Sequence, residues 1–330
     1  MFALADVIGA NGWRLSAMCF SPRLPCLFAL LTTLLFAHPN HNATQQTQVE
    51  LVPATEQPPA RNEVSITVEG DLRVITANGV PDHTTGRFPN ADNPNRITAQ
   101  PYRYTVPLHP VLSVQPVALR RQPFGIAVNG VLFDPGTAEA WHDEMNSGWH
   151  YDAKGGAFSL GLDTNNAHVQ PNGAYHYHGI PAALLARLSG GQPGMTLLGW
   201  AADGFPIYGT WCDKSAQGKS SGLVALKTGY QLKKGERPTS NDQPGGKYDG
   251  SFVEDFTYVA GHGDLDECSG RFGVTPEFPD GTYYYVLTDD FPFVPRFFRG
   301  TPDKSFERHG GPGGPGGRRG PPPPGGRPPP

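Results

Sequence analysis

The chain has 330 residues and a formal net charge of −4, which gives no basic field for a nucleic-acid partner. Its 42 glycines and 35 prolines are far above average usage and favour many turns and short strands over long helices. The composition therefore predicts a turn-rich β protein and argues against nucleic-acid binding.

The N-terminal region contains an apolar run at residues 27–37 that is typical of the hydrophobic core of a signal peptide. The run is too short to span a bilayer. We predict a signal peptide over residues 1–37, with Met18 as an alternative initiator, and expect a secreted protein, or a periplasmic one in a bacterium. No stable membrane span is expected after cleavage. The alternative interpretation is a buried apolar helix.

The rest of the chain divides by composition and periodicity. Residues 38–61 are polar and aperiodic, which predicts a flexible linker. Alternating apolar and polar residues then predict strands, short helices are expected at 137–145 and 182–188, and the tail is almost entirely glycine and proline. We predict a mainly β fold with one sandwich-like domain over residues 62–300 and a disordered tail over residues 301–330.

The most informative stretch has two histidines alternating with two tyrosines between glycines, at residues 173–179. Successive side chains of a strand point to opposite faces, so His176 and His178 share one face. Neutral imidazole is a common ligand of zinc and copper. The pair predicts a divalent-metal site completed from elsewhere in the fold. The alternative is that both rings pack and hydrogen-bond within an aromatic sheet.

A weaker copy of this stretch occurs later in the chain, where residues 280–286 repeat the turn and aromatic strand of residues 172–178. The two copies indicate either equivalent strands of a duplicated sheet or shared turn chemistry. The second copy lacks histidine, so a metal site is predicted in the first copy alone.

Together these motifs resemble the YHYH-domain proteins. The resemblance rests on residues 78–83, 124–130 with 134–139, 165–168, 175–181, 199–208, and 264–268 with 271–272. It implies an exported protein, often with a Gly/Pro-rich tail, and implies no particular activity.

The same motifs supply candidate partners for the histidine pair. His168 and His83 are the best third and fourth ligands, and Asp203 is the best carboxylate ligand. A metal with an open position could activate water or polarise a carbonyl, with Asp203, Glu267 or Asp266 as general acid or base. A metal-dependent oxidoreductase or hydrolase is therefore one functional hypothesis.

A hypothesis of a different class is a non-catalytic module that binds a glycan, a small molecule or a protein. Exposed tryptophans and tyrosines could stack on sugar rings or hold a peptide; the candidates are Trp141, Trp149, Trp200 and Trp211. The alternative is that these rings belong to the core of a β domain.

Two cysteines, Cys212 and Cys268, lie in the predicted domain. An even pair in an exported protein predicts a disulfide. The rival hypothesis is that both are thiolate ligands of a metal.

Overall fold

The computed structural model describes residues 49–218 and 222–307. The predicted signal peptide and most of the predicted tail lie outside these ranges. The described part is mainly β, as predicted, with a single α-helix among the described residues. No helix within these ranges is long and apolar enough to cross a membrane.

Nineteen strands are found in the described part of the chain, most of them only two to six residues long. Their bounds are β1 Val64–Glu69, β2 Leu72–Ala77, β3 Tyr102–Pro107, β4 Leu112–Ala118, β5 Gly125–Ala127, β6 Leu132–Phe133, β7 Ala167–Val169, β8 Tyr175–Tyr177, β9 Leu197–Ala201, β10 Pro206–Tyr208, β11 Trp211–Asp213, β12 Leu223–Ala225, β13 Tyr230–Leu232, β14 Thr239–Ser240, β15 Gln243–Pro244, β16 Phe256–Tyr258, β17 Gly270–Gly273, β18 Thr282–Val286 and β19 Phe297–Gly300.

The central feature is an eight-stranded mixed sheet in the order β17-β18-β10-β9-β5-β6-β8-β7. Each half of this sheet is built in the same way. A hairpin (β5–β6 or β9–β10) is followed by a second hairpin (β7–β8 or β17–β18) whose last strand pairs in parallel with the first hairpin. The two halves meet through the antiparallel β5–β9 pair. The strand order therefore supports duplication rather than shared turn chemistry alone.

Side-chain contacts repeat with the strands. Tyr175 donates a hydrogen bond to Asp163 at 2.7 Å, and Tyr283, at the equivalent position of the second half, donates to Asp266 at 2.9 Å. In both halves the aspartate also accepts from backbone amides two and four residues later. These repeated bonds fix the loop that leads into β7 and the loop that leads into β17.

One of the two helix predictions is confirmed and the other is wrong. The predicted helix at 182–188 is present as α1, Ala182–Ser189, which ends at Gly190 in the left-handed conformation (φ 62°). The predicted helix at 137–145 is wrong. Only a 3₁₀ turn, Trp141–Asp143, forms there, because His142 and Asp143 both take positive φ (56° and 60°) and stop helical propagation.

The predicted linker needs correction where it is described. Val52 forms an isolated parallel bridge with Asp163, and Glu56 an antiparallel one with Thr85. The Val52 amide donates to Leu162 at 2.8 Å. Backbone hydrogen bonds therefore hold residues 52–56 against the domain. The polar, aperiodic sequence does not indicate these bonds.

The predicted disulfide is wrong. Cys212 and Cys268 are both free and fully buried. Cys212 packs in a cluster with Tyr284, whereas Cys268 packs in the main core with Tyr283. Because Tyr283 and Tyr284 are consecutive residues of β18, their side chains leave opposite faces of the sheet, and the two thiols are kept on different sides.

Candidate metal centre

The β7–β8 hairpin brings three histidines together at one edge of the large sheet. His168 on β7 pairs with His176 on β8, and His178 follows two residues later on the same face. The turn between the strands requires Gly173, which has φ 87° and whose missing Cβ would collide with Thr98. The hairpin register therefore sets the relative positions of the three rings.

The three imidazoles form a compact cluster. One ring nitrogen from each residue lies within 4.8 Å of the others, and the Nε2 atoms of His176 and His178 are 2.8 Å apart. His176 and His178 are 2% and 3% exposed, and His168 is partly buried. Among the described residues this is a group of side chains suited to holding a metal ion.

Backbone carbonyls orient two of the rings. Nδ1 of His168 lies 3.1 Å from the Leu160 oxygen, and Nδ1 of His176 lies 3.3 Å from the Ala174 oxygen. A carbonyl only accepts, so both Nδ1 atoms donate and each Nε2 keeps a lone pair. Asn93 Nδ2 lies 3.2 Å from His168 Nδ1 and donates to the Val169 oxygen at 3.0 Å.

The third ring differs in its outer hydrogen bond. Nδ1 of His178 is buried and has no hydrogen-bond partner among the described residues. Its backbone amide donates to Asn166 at 2.7 Å. The ring is therefore held by packing and by its contact with His176.

Two of the three imidazoles, those of His168 and His178, are neutral near pH 7. Burial, and then the neighbouring charge of His176, lowers the pKa of His168 to about 3. The same two causes, in the same order, lower the pKa of His178 well below its ordinary value. Neutral imidazole is the form that binds metal, so protons compete weakly with a metal ion for His168 and His178 near pH 7.

The spacing fits a metal ion after a small adjustment. Two nitrogens bound tetrahedrally to zinc at about 2.0–2.1 Å are about 3.3 Å apart. The 2.8 Å separation of the His176 and His178 nitrogens is that of a shared proton. Exchange of this proton for a metal ion therefore requires these two rings to separate by about 0.5 Å.

The structure does not bring His83 into the cluster. His83 Nε2 lies 2.7 Å from the Tyr177 hydroxyl, and Nδ1 donates to Thr84 at 2.8 Å. Tyr177 alternates with His176 and His178 along the strand, so its ring and His83 lie on the other face. A surface cavity lined in part by Arg61, Asp82 and His83 opens on that side.

The three carboxylates also lie outside the cluster. Asp203 accepts from the Tyr285 hydroxyl at 2.5 Å and the Gly300 amide at 2.8 Å. Asp266 accepts from Tyr283, and Glu267 is exposed. Burial raises the pKa of Asp203 to about 6 and also raises that of Asp266. Asp266 therefore serves the repeated tyrosine contact of the second half of the sheet, and Asp203 holds the Tyr285 hydroxyl and the Gly300 amide.

The tryptophans give little support for an aromatic binding surface. Trp149 and Trp200 are 8% exposed and belong to the interior, whereas Trp211 is 41% exposed. Trp211 borders a shallow cavity with Leu185 and Pro193. The core interpretation holds for Trp149 and Trp200.

Sequence reasoning missed a charged group beside the histidines. Lys154 and Arg296 are close enough to His178 for their positive charges to contribute to its lowered pKa. Arg296 pairs with the buried Asp152 at 2.5 Å. These residues come from loops about 140 positions apart, and neither loop has a periodic pattern that would have marked it.

Comparison with known proteins gives one family. A family model described as YHYH protein matches residues 103–300, which include His168, His176 and His178 but not His83. No curated protein and no solved structure matches the chain.

Proposed function

The chain belongs to the YHYH protein family, and we propose that it binds one transition-metal ion through His168, His176 and His178. The observation that carries this proposal is the convergence of one ring nitrogen from each of three histidines within 4.8 Å. Two of the rings already donate their other nitrogen to a carbonyl, the arrangement that orients histidine ligands in metal proteins.

The donor set favours zinc or copper. Three imidazoles and no carboxylate suit these borderline metals better than magnesium or calcium, which prefer oxygen ligands. Three protein ligands also leave a fourth position for water or another small ligand. None of Asp203, Asp266 and Glu267 lies in the cluster, so we assign metal binding and do not assign a reaction.

We also propose that the protein works after export, as the apolar run at residues 27–37 and the family resemblance indicate. N-terminal sequencing of protein from the medium or periplasm tests this. A mature chain that begins near residue 38 supports export, and an intact N-terminus in the cytoplasmic fraction contradicts it.

The test of metal binding compares four proteins prepared without metal. Wild type, His176→Ala/His178→Ala, His168→Ala and the control His83→Ala are loaded with zinc or copper, dialysed, and analysed for bound metal and for affinity by calorimetry. We expect one ion in wild type and in His83→Ala, with affinity lower by at least tenfold in the other two. Equal metal content in all four would overturn the proposal.

A further inference from the structure

Strand β1 lies at the free edge of a three-stranded antiparallel sheet in the order β1-β2-β3. The Asn78 amide donates to the Glu63 oxygen at 2.9 Å, so the residue before β1 bonds toward the β2 side. Inward and outward backbone groups alternate along an antiparallel strand, so the N–H and C=O groups of Val64, Ile66 and Val68 point away from β2. No residue within 49–218 or 222–307 forms a hydrogen bond with these outward groups.

Strand β1 lacks the features that usually protect a sheet edge. It contains no proline and no lysine, and its register with β2 runs without a bulge. The side chains of Val64, Ile66 and Val68 share one face and are 37%, 39% and 64% exposed. The other edge of the same sheet is covered, because the Ser305 hydroxyl accepts from the Thr105 amide of β3 and donates to the Thr105 oxygen. An uncovered apolar edge such as β1 favours pairing with another strand.

The chain's own remaining segments are poorly suited to cover this edge. Residues 310–330 are glycine and proline apart from three arginines, and proline has no amide hydrogen to donate to a strand. Residues 38–48 contain no leucine, isoleucine, valine or aromatic residue to pack beside the apolar row. A second copy of β1, by contrast, offers the same outward backbone groups and the same apolar row.

We propose that the protein forms a symmetric dimer in which two β1 strands pair antiparallel, edge to edge. Two-fold symmetry joins identical surfaces and is the commonest symmetry of protein dimers. The two sheets then form one six-stranded sheet, and the exposed apolar side chains of both copies lie side by side on one face. Strands β1 and β2 precede residues 103–300, to which the family model matches, and they do not contribute to the histidine cluster. The dimer is therefore independent of the proposed metal function.

The charges beside β1 favour one register of the two strands. With Ser65 on the two-fold axis, Arg61 of each copy lies opposite Glu69 of the other, so opposite charges meet at both ends of the paired segment. With Ile66 on the axis, Glu63 would lie opposite Glu69, and like charges directly opposite are destabilising. The proposed dimer therefore has Ser65 at its centre.

Cysteine cross-linking tests both the pairing and the register. The two Ser65 residues form a non-hydrogen-bonded pair with Cα atoms about 4.5 Å apart, which is within disulfide range. Thr67 lies on the same face of β1, but the two Thr67 residues of the dimer are about 13 Å apart along the strands. Under air oxidation we expect Ser65→Cys to give a disulfide-linked dimer on a non-reducing gel, whereas Thr67→Cys and wild type stay unlinked. Equal cross-linking of the two variants, or none in either, would overturn the proposed pairing.

Sedimentation equilibrium of the exported chain measures the association without a cross-link. We expect a concentration-dependent dimer in wild type, weakened about tenfold or more by Ile66→Lys, which places a charge on the edge of each copy. The control Val114→Lys makes the same change at a side chain of β4 that is 92% exposed and lies outside this sheet. Equal weakening by both variants, or a wild type that is monomeric at every concentration, would overturn the dimer. Thermal melting confirms that each variant is folded, and zinc content should be the same in all of them.

Discussion

His168 lies directly opposite His176 across the β7–β8 hairpin. At the equivalent place in the second half of the sheet, Arg271 lies opposite Tyr284 and donates to its hydroxyl at 2.6 Å. One pair of positions therefore carries a potential metal site in one half and an ordinary polar contact in the other. The duplicated architecture does not itself require histidine, which makes the three histidines of the first half a local specialisation.

Metal should stabilise the folded protein. A ligand that binds only the native state at 100 times its dissociation constant adds about 2.7 kcal/mol to the free energy of unfolding. For a domain of this size that corresponds to a rise in melting temperature of roughly 5–10 °C. Thermal melts with zinc, and then with excess chelator, measure it. An unchanged melting temperature in wild type, or an equal rise in His176→Ala/His178→Ala, would contradict binding at the cluster.

Removing the Tyr177 hydroxyl should destabilise the fold without affecting metal. The hydroxyl is buried between His83 Nε2 at 2.7 Å and the Asn129 amide at 3.0 Å. Tyr177→Phe leaves His83 Nε2 and one of the two amide hydrogens of Asn129 without a partner, so we expect a loss of about 1–3 kcal/mol in urea unfolding. Zinc stoichiometry should stay at the wild-type value. A variant that loses metal while its stability is unchanged would mean that this face takes part in the site.

Part of the histidine cluster could be predicted from the sequence. The convergence of His176 and His178 follows from strand alternation alone, and His168 was found because its motif resembles the family's. The same resemblance groups His83 with them, although strand alternation places its partner, Tyr177, on the other face. A match to a family motif indicates that a residue has a role, but it does not predict on which face of the sheet that residue lies.

Other parts of the centre had no local signature. Lys154 and Arg296 approach His178 from two irregular loops, and the carbonyls of Leu160 and Ala174 orient rings through backbone atoms, which every residue has. The β class and α1 were predictable because they depend on periodicity and on a terminal glycine. The eight-stranded order depends on pairing between strands distant in the chain, and only the weak repeat at residues 172–178 and 280–286 indicated it.

Asp203 should make stability depend on pH. Its pKa is raised by burial from 3.8 to about 6, so the folded protein holds a proton that the unfolded chain releases near pH 3.8. The folded state therefore binds more protons between about pH 4 and 6, and stability falls as the pH rises through this window, by up to about 3 kcal/mol.

Urea unfolding from pH 4.5 to 7.5 measures this effect. Asp203→Asn should remove that part of the slope, although it also loses acceptors for Tyr285 and Gly300 and is less stable throughout. The exposed Asp242→Asn is the matched control. A slope that Asp203→Asn and Asp242→Asn change equally would show that another group is responsible.

Cys212 and Cys268 should behave as inert thiols. Burial raises the pKa of each to about 12, so almost no thiolate is present at neutral pH. We expect a maleimide reagent to leave both unlabelled in the native protein and to label both after denaturation without reductant. Peptide mass spectrometry assigns the sites. Labelling that requires prior reduction would restore the disulfide that the structure contradicts.

Exchanging the histidines for their counterparts in the second half should separate metal binding from folding. The repeat places Arg271, Tyr284 and Val286 at the positions of His168, His176 and His178. The variant His168→Arg/His176→Tyr/His178→Val carries residues that already pack at this strand junction in the same chain.

An arginine at 168 can donate to the tyrosine at 176, as Arg271 donates to Tyr284, and a valine at 178 removes the unpartnered ring nitrogen. We therefore expect this variant to retain a cooperative thermal transition and near-native circular dichroism, to bind no zinc, and to melt above the corresponding triple alanine variant, which leaves cavities. Zinc retained by the exchanged variant at wild-type stoichiometry would place the metal elsewhere in the protein.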